Sequence, residues 1–241
     1  MEKIVPYKEL ETGKKEQVAQ MFDNISGKYD FLNHFFSLGI DIIWRKKAIG
    51  LLQKYKPKTI LDVASGTADF AIEALALKPA KIVGVDISEG MLNIGKEKIK
   101  SIKKEEIITL QVADSENLPF ANNTFDAVIV SFGVRNFDNL LAGLTDMCRV
   151  TQTGGVCLVL EFSKPKSFPM KQIFNFYFKN IMPTIGKIIS KDSAAYTYLP
   201  ESVKVFPDGE DFLTIFKKAG FKNTKCIPLT FGISSIYIGE K

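Results

Sequence analysis

This sequence predicts an α/β fold built on a mostly parallel sheet of seven strands, and three observations carry that reading. From Thr59 onward, short β-branched apolar runs alternate with stretches of helical periodicity, the pattern of parallel strands joined by crossover helices. Residues 125–132 are nearly all apolar, as a strand buried on both faces of a sheet has to be. At 241 residues, 46% apolar and 24% charged, the chain has the composition of an ordinary globular protein and the length of one large domain, residues 1–241.

Each element follows in order. Residues 59–64 form the first strand. Phe70, Ala71, Ala74 and Leu75 share a helix face that stops before Pro79. A second strand covers 81–86, and Ser88 is placed to cap a helix that turns Met91, Leu92, Ile99 and Ile102 inward. The third strand, 107–112, leads to Asp114; the fourth, 125–132, belongs near the sheet centre. Asp138 is positioned to cap the next helix, in which Leu140, Leu141, Leu144, Met147 and Cys148 recur at helical spacing. Gly154-Gly155 turns into a fifth strand, 156–162. A helix over 208–219 closes at Gly220, and runs 221–229 and 233–239 complete the seven strands. Residues 1–50 look helical and 164–206 interrupt the alternation with aromatics and prolines, so both segments are candidates for covering a site.

Composition excludes several function classes. No run approaches the roughly 18 apolar residues of a membrane-spanning helix, and the N-terminus lacks the basic start and apolar stretch of a signal peptide, so the expected location is the cytoplasm. Cys148, Cys157 and Cys226 are odd in number and too widely spaced for a CxxC pair or a zinc cluster, which reads as reduced, buried thiols and no metal site. The single histidine, His34, removes most imidazole-dependent hydrolase mechanisms and reads as packed or hydrogen-bonded. The net charge of +5 comes mainly from scattered lysines such as Lys96, Lys98, Lys100, Lys103 and Lys104, which read as a solvated helix face and not as a nucleic-acid site.

Ligands of open parallel sheets bind beyond the carboxyl ends of the strands, where strand order reverses. After strand one, Gly66 allows close backbone approach and Thr67 offers a hydroxyl. Asp86 follows Gly66 by 20 residues, the spacing at which a carboxylate accepts from both hydroxyls of a ribose. The G-x-G-x-x-G and Gly-Lys-Ser/Thr patterns are both absent, so an uncharged nucleoside suits this turn better than a diphosphate. A lone glycine turn is also compatible with a plain tight turn. Asp114-Ser115 adds a carboxylate and a hydroxyl where an adenine edge would lie, and Ser131 ends strand four; together they point to S-adenosylmethionine.

The runs Leu61-Asp62-Val63-Ala64-Ser65-Gly66-Thr67-Ala68-Asp69, Val85-Asp86-Ile87-Ser88-Glu89-Gly90-Met91-Leu92 and Leu118-Pro119-Phe120 with Phe125-Asp126 resemble class I S-adenosylmethionine-dependent methyltransferases. Ser131-Phe132-Gly133-Val134-Arg135-Asn136, with Met21-Phe22-Asp23, Tyr29-Asp30, Asn33, Ser37, Gly39, Trp44 and Arg45, is similar to the demethylmenaquinone methyltransferase and 2-polyprenyl-benzoquinol methylase family. That resemblance implies a Rossmann-like sheet with an antiparallel last strand, a helical N-terminal cover and an inserted aromatic segment. It implies cofactor contacts from Thr67, Asp86, Asp114, Ser115 and Ser131 beside Gly66. The implied reaction is methyl transfer to a ring carbon of a polyprenylated hydroquinone, demethylmenaquinol first, with a polyprenyl benzoquinol or another phenolic or lipid acceptor as alternatives. One departure is Ala68, where the family usually has glycine; the expectation is that it lies in the first helical turn, where a methyl costs little.

The reaction needs an electron-rich ring, and Arg135 is the candidate catalytic residue. A guanidinium about 4 Å from a phenolate, at an effective dielectric of about 20, contributes on the order of 4 kcal/mol, enough to bring a phenol near neutral pH. Arginine is a poor proton acceptor, which leaves that role to water. The alternative is that Arg135 packs or pairs with an acid such as Asp138. Asn136 either orients that water or a ring hydroxyl, or caps backbone. Phe168, Ile173, Phe174, Phe176, Tyr177 and Phe178, continuing through Ile181, Met182, Ile185, Ile188 and Ile189 with Lys166, Lys171, Lys179 and Lys187 interleaved, either line a prenyl-tail channel and touch anionic lipid headgroups or form a buried cap. Expected partners are the polyprenylated hydroquinone and a membrane surface touched peripherally at its inner face, with a homodimer left open and no nucleic acid.

Overall fold

The computed structural model describes residues 4–37, 39–181 and 193–241. Among these, strands β1 (Thr59–Val63), β2 (Lys81–Asp86), β3 (Ile108–Val112), β4 (Phe125–Ser131), β5 (Thr151–Phe162), β6 (Lys222–Leu229) and β7 (Ser234–Glu240) form one sheet in the order β3-β2-β1-β4-β5-β7-β6. All neighbouring pairs from β3 to β5 are parallel, and β7 runs antiparallel to both β5 and β6. β1 therefore has β2 on one side and β4 on the other, and the crossovers leave it in opposite directions, which opens a crevice at its carboxyl end.

The period-2 alternation of the strands divides the core into two layers. Leu61, Val63, Val128, Val130, Cys157 and Val159 face one layer, closed by Leu144 and Met147 of α5 (Leu140–Val150) and Phe212 and Phe216 of α8 (Glu210–Lys218). Their neighbours Ile60, Ala127, Ile129, Val156 and Leu158 face the other, covered by Trp44 and Ala48 of α2 (Ile40–Leu52) and Phe70 and Ala71 of α3 (Asp69–Ala74). A long helix, α1 (Lys14–Phe36), precedes α2, and α4 (Glu89–Ser101) crosses from β2 to β3. Between β5 and α8 lie α6 (Met170–Phe176), a π-helical turn (Tyr177–Ile181) and α7 (Ser193–Val205). The expected apolar positions Met182, Ile185, Ile188 and Ile189, with Lys187, fall outside the described residues.

Several local expectations are corrected. Ile102 lies beyond the last turn of α4 and Leu141 on the outer side of α5, each about 40% exposed. Asn139 caps α5, its side chain accepting from the Ala142 amide, because Asp138 stands one residue too early. β5 starts at Thr151, which pairs with Phe125 across an irregularity before Ala127, so Gly154 and Gly155 lie inside the strand. Ala68 precedes α3 at φ 67° instead of lying in its first turn. Lys98 is withdrawn from the solvated face of α4. Cys148 and Cys157 are buried free thiols as expected; Cys226 is only half-buried.

Candidate active site

Two connected lobes open above the carboxyl ends of β1, β2 and β4. The larger, about 640 Å³, is lined by Gly66, Asp86, Asp114, Ser115 and Ser131, with Lys15, Val18, Phe22 and Tyr29 of α1 as its roof. The smaller, about 350 Å³, lies between Tyr29, Arg45, Asp62, Thr67, Asp69 and Ser131, and the two share Ala64, Gly66 and Phe132. The structure thus brings Gly66, Thr67, Asp86, Asp114, Ser115 and Ser131 to one cleft.

The turn after β1 is built from alternating left-handed residues, Ala64 (φ 52°), Gly66 (φ 53°) and Ala68 (φ 67°). That zigzag aims the Gly66 amide at Asp86, whose Oδ2 accepts it at 2.8 Å while Oδ1 accepts the Ser88 amide at 2.9 Å. Burial pushes the Asp86 carboxyl up, and the amides of Ser88 and Gly66 pull it back. Each oxygen keeps lone pairs for further donors, such as two ribose hydroxyls. Asp114 is held in the same manner at β3: Oδ1 accepts the Glu116 amide at 2.9 Å, and Oδ2 accepts Lys15 of α1 at 2.7 Å.

The smaller lobe is where buried charge lacks partners. Asp62 is fully buried, and neither carboxylate oxygen has a hydrogen-bond partner among the described residues. That burial drives its carboxyl well above the usual carboxylate range, with the nearby Ala71 amide and Arg45 pulling the other way and Asp86 adding to the rise. Arg45 donates through Nη1 to Asp41 at 2.7 Å, but its buried Nε is also unpartnered. An orphaned acid and an orphaned guanidinium nitrogen in one lobe fit a zwitterionic amino-acid group, with ammonium to Asp62 and carboxylate to Arg45. Asp86 and Asp114 could take the nucleoside of S-adenosylmethionine, and Asp62 and Arg45 its amino-acid end.

Arg135 does not line either lobe. It sits in a 3₁₀ turn, Val134–Asn136, with Nη1 2.8 Å from Glu161 Oε1 and also donating to the Phe132 carbonyl. Glu161 is fully buried at the end of β5; burial raises its carboxyl, and Arg135 draws it back. The acid that Arg135 meets is therefore Glu161, not Asp138, and its charge is largely balanced. Its neighbour Asn136 does line the cleft and accepts the Tyr198 hydroxyl at 3.2 Å. Tyr29 lines both lobes, and burial pushes its hydroxyl up to about 12. His34 finds a partner that the sequence did not reveal: Nδ1 lies 2.9 Å from Asp41 Oδ2, and Nε2 3.7 Å from Asp69 Oδ2.

Asp62, Glu161, Lys15 and Lys98 were missed as site residues. A carboxylate inside an apolar run is the one readable signal, present at Leu61-Asp62-Val63 and Leu160-Glu161-Phe162, because such a group needs a reason to be buried. The lysines meet partners 99 and 31 residues distant, which no local pattern encodes.

The profile of the ubiE/COQ5 methyltransferase family matches residues 10–241. The chain is 50% identical to a protein of Bacteroides fragilis named demethylmenaquinone methyltransferase, over 100% of this chain and 98% of that one. It is 44% identical to a Geotalea uraniireducens protein named ubiquinone/menaquinone biosynthesis C-methyltransferase UbiE, over 95% and 98%. Among solved structures, an S-adenosylmethionine-dependent methyltransferase of Thermotoga maritima, described as a possible histamine N-methyltransferase, is similar in fold, with a TM-score of 0.64 and 19% identity over 92% of this chain and 99% of that one.

Proposed function

Because the chain belongs to the ubiE/COQ5 methyltransferase family, we propose that it methylates a ring carbon of a polyprenylated hydroquinone, demethylmenaquinol above all. The observation that carries the cofactor half of this reading is the cleft itself, with Asp86 preset by two amides beside the Asp62 carboxylate and the Arg45 Nε, neither of which has a hydrogen-bond partner among the described residues. Half of all positions shared with the Bacteroides fragilis protein favours the naphthoquinol acceptor. The name of the Geotalea relative keeps a polyprenyl benzoquinol as the second reading.

S-adenosylmethionine, when bound, supplies an electrophilic methyl on a sulfonium. The residues of this chain supply position and exclude water. Asp86 and Asp114 hold the nucleoside from two strand ends, Ser115 stands beside Asp114, and Asp62 and Arg45 hold the charged end, with Ser131 at the junction of the lobes. Alignment of this kind reaches effective molarities of about 10⁵ to 10⁸ M. Phe22, Val18, Phe132 and Phe137 make the walls around the junction apolar, which suits an aromatic acceptor and excludes bulk water.

The acceptor must lose a hydroxyl proton before its carbon is strongly nucleophilic. Arg135, outside both lobes and paired with Glu161, stabilises the developing phenolate by less than the figure of about 4 kcal/mol for a free guanidinium in contact with it. Asn136 orients the hydroxyl or the water that takes its proton. The deciding assay is anaerobic, with reduced demethylmenaquinone and labelled S-adenosylmethionine: label should reach the reduced quinone and not the oxidised form, which has no hydroxyl proton to lose. Labelling of both forms, or of neither, overturns the proposal.

The described part of the aromatic segment presents Phe168, Ile173 and Phe176 to solvent, at 81%, 55% and 61% exposure, beside Lys166 and Lys171. No described helix is long and apolar enough to cross a membrane. We propose that this face touches the bilayer in which a prenylated acceptor resides, as apolar anchors flanked by cations do.

A further inference from the structure

Lys98 is the one lysine of α4 that is turned inward, and three acceptors share its ammonium. Its Nζ lies 2.6 Å from Asp30 Oδ2 of α1, 2.6 Å from Asp69 Oδ1 of α3 and 2.9 Å from Thr67 Oγ1 in the turn after β1. Thr67 in turn donates its hydroxyl to Asp30 Oδ1 at 2.5 Å. An ammonium has three protons, and all three are directed here. Gly95, one turn earlier, permits the approach: a Cβ there would come within 3.2 Å of the Thr67 carbonyl carbon and 2.7 Å of Leu110.

The Thr67 hydroxyl is thus committed to α1 and α4, with its only proton on Asp30. We propose that Lys98 is a positioning residue that fastens α1 over the smaller lobe through Asp30, Thr67 and Asp69, so that the cofactor's amino-acid end is held by a closed roof. The proposal rests on the cofactor reading of that lobe. Without the ammonium, Asp30 would lose its cation and face Asp69, which keeps only Arg45 at 3.6 Å as a strong cation, and repulsion would lift the part of α1 around Tyr29 and Asp30.

The test compares Lys98→Met, Lys98→Arg and Asp30→Asn with the unaltered chain in two measurements. The first is hydrogen exchange of the α1 amides without ligand; the second is the affinity for S-adenosylhomocysteine against that for 5′-methylthioadenosine, which lacks the amino-acid end. Lys98→Met should speed α1 exchange about tenfold and weaken S-adenosylhomocysteine about tenfold, with methylthioadenosine little changed and Lys98→Arg restoring most of both. Asp30→Asn should reproduce the exchange effect from the other side. Unchanged α1 exchange in both Lys98→Met and Asp30→Asn overturns the proposal, as does equal weakening of the two ligands. Failure of the unaltered chain to bind S-adenosylhomocysteine would instead overturn the cofactor reading, while the exchange measurement still decides whether Lys98 holds α1.

Discussion

In the proposed reading, Asp62 trades stability for binding. Its folded pKa is raised above the unfolded value of about 3.9, so its penalty is absent below that pH and grows as pH rises through the folded value. Asp62→Asn should therefore raise the melting temperature of the ligand-free protein at alkaline pH, by the equivalent of about 1–3 kcal/mol, and leave it unchanged near pH 4. The same substitution should weaken S-adenosylhomocysteine. Equal melting curves at both pH values would mean that the carboxyl is not strained. For Arg135, the single variant Arg135→Gln strands the buried Glu161 and should cost about 3–5 kcal/mol, which obscures any catalytic role. The double variant Arg135→Gln with Glu161→Gln should recover most of that stability in chemical denaturation. If turnover returns as well, Arg135 is structural; if it stays lost, its charge acts on the acceptor. Ala68 illustrates a smaller balance: its left-handed backbone costs about 1 kcal/mol, and its fully buried methyl returns about 0.8 kcal/mol.

At the level of elements, α1 organises the cleft as much as the strands do. Lys15 reaches Asp114, Lys14 the Phe137 carbonyl at 2.8 Å, and Asp23 the Ser88 hydroxyl and Gly90 amide at 2.6 and 2.9 Å. Asp23 thereby supplements Ser88 in capping α4. Asp23→Ala should lower stability by about 1 kcal/mol and increase exchange at the start of α4 and in the middle of α1; protection lost at neither place would assign Asp23 to the surface. The strands, in contrast, are legible to within a residue at most ends, the start of β5 excepted. A buried parallel strand leaves an apolar run with sharp ends, and β2 was placed at its observed bounds. Helix ends were less legible, because capping depends on one residue's conformation: Ser88 was found, whereas Asn139 was mistaken for its neighbour. The partners of α1 were not legible at all, since they come from loops far along the chain.

For the whole molecule, sheet order explains why the site was half visible in the sequence. Residues at the ends of β1, β2, β3 and β4 converge because the order reverses beside β1, so the meeting of Gly66, Asp86, Asp114 and Ser131 in one cleft is legible from strand ends alone. Arg135 was placed in the right turn, but its partner enters from β5, a neighbour that only the assembled sheet supplies. The exposed aromatic face formed by α6 and Phe168 just before it belongs to this scale as well. Vesicles carrying anionic lipid should bind the protein in flotation, and Phe168→Ser with Phe176→Ser should reduce binding about tenfold while leaving S-adenosylhomocysteine affinity unchanged. Equal flotation of both proteins would make α6 an ordinary surface.

The ammonium that α1 lends to Asp114 has one more effect. Under the proposed cofactor placement, an incoming adenine amine has to displace or share an intramolecular cation that already occupies Asp114. Electrolyte loosens such half-exposed pairs, so moderate salt should accelerate nucleoside entry instead of slowing it, and Lys15→Met should abolish that acceleration in stopped-flow traces.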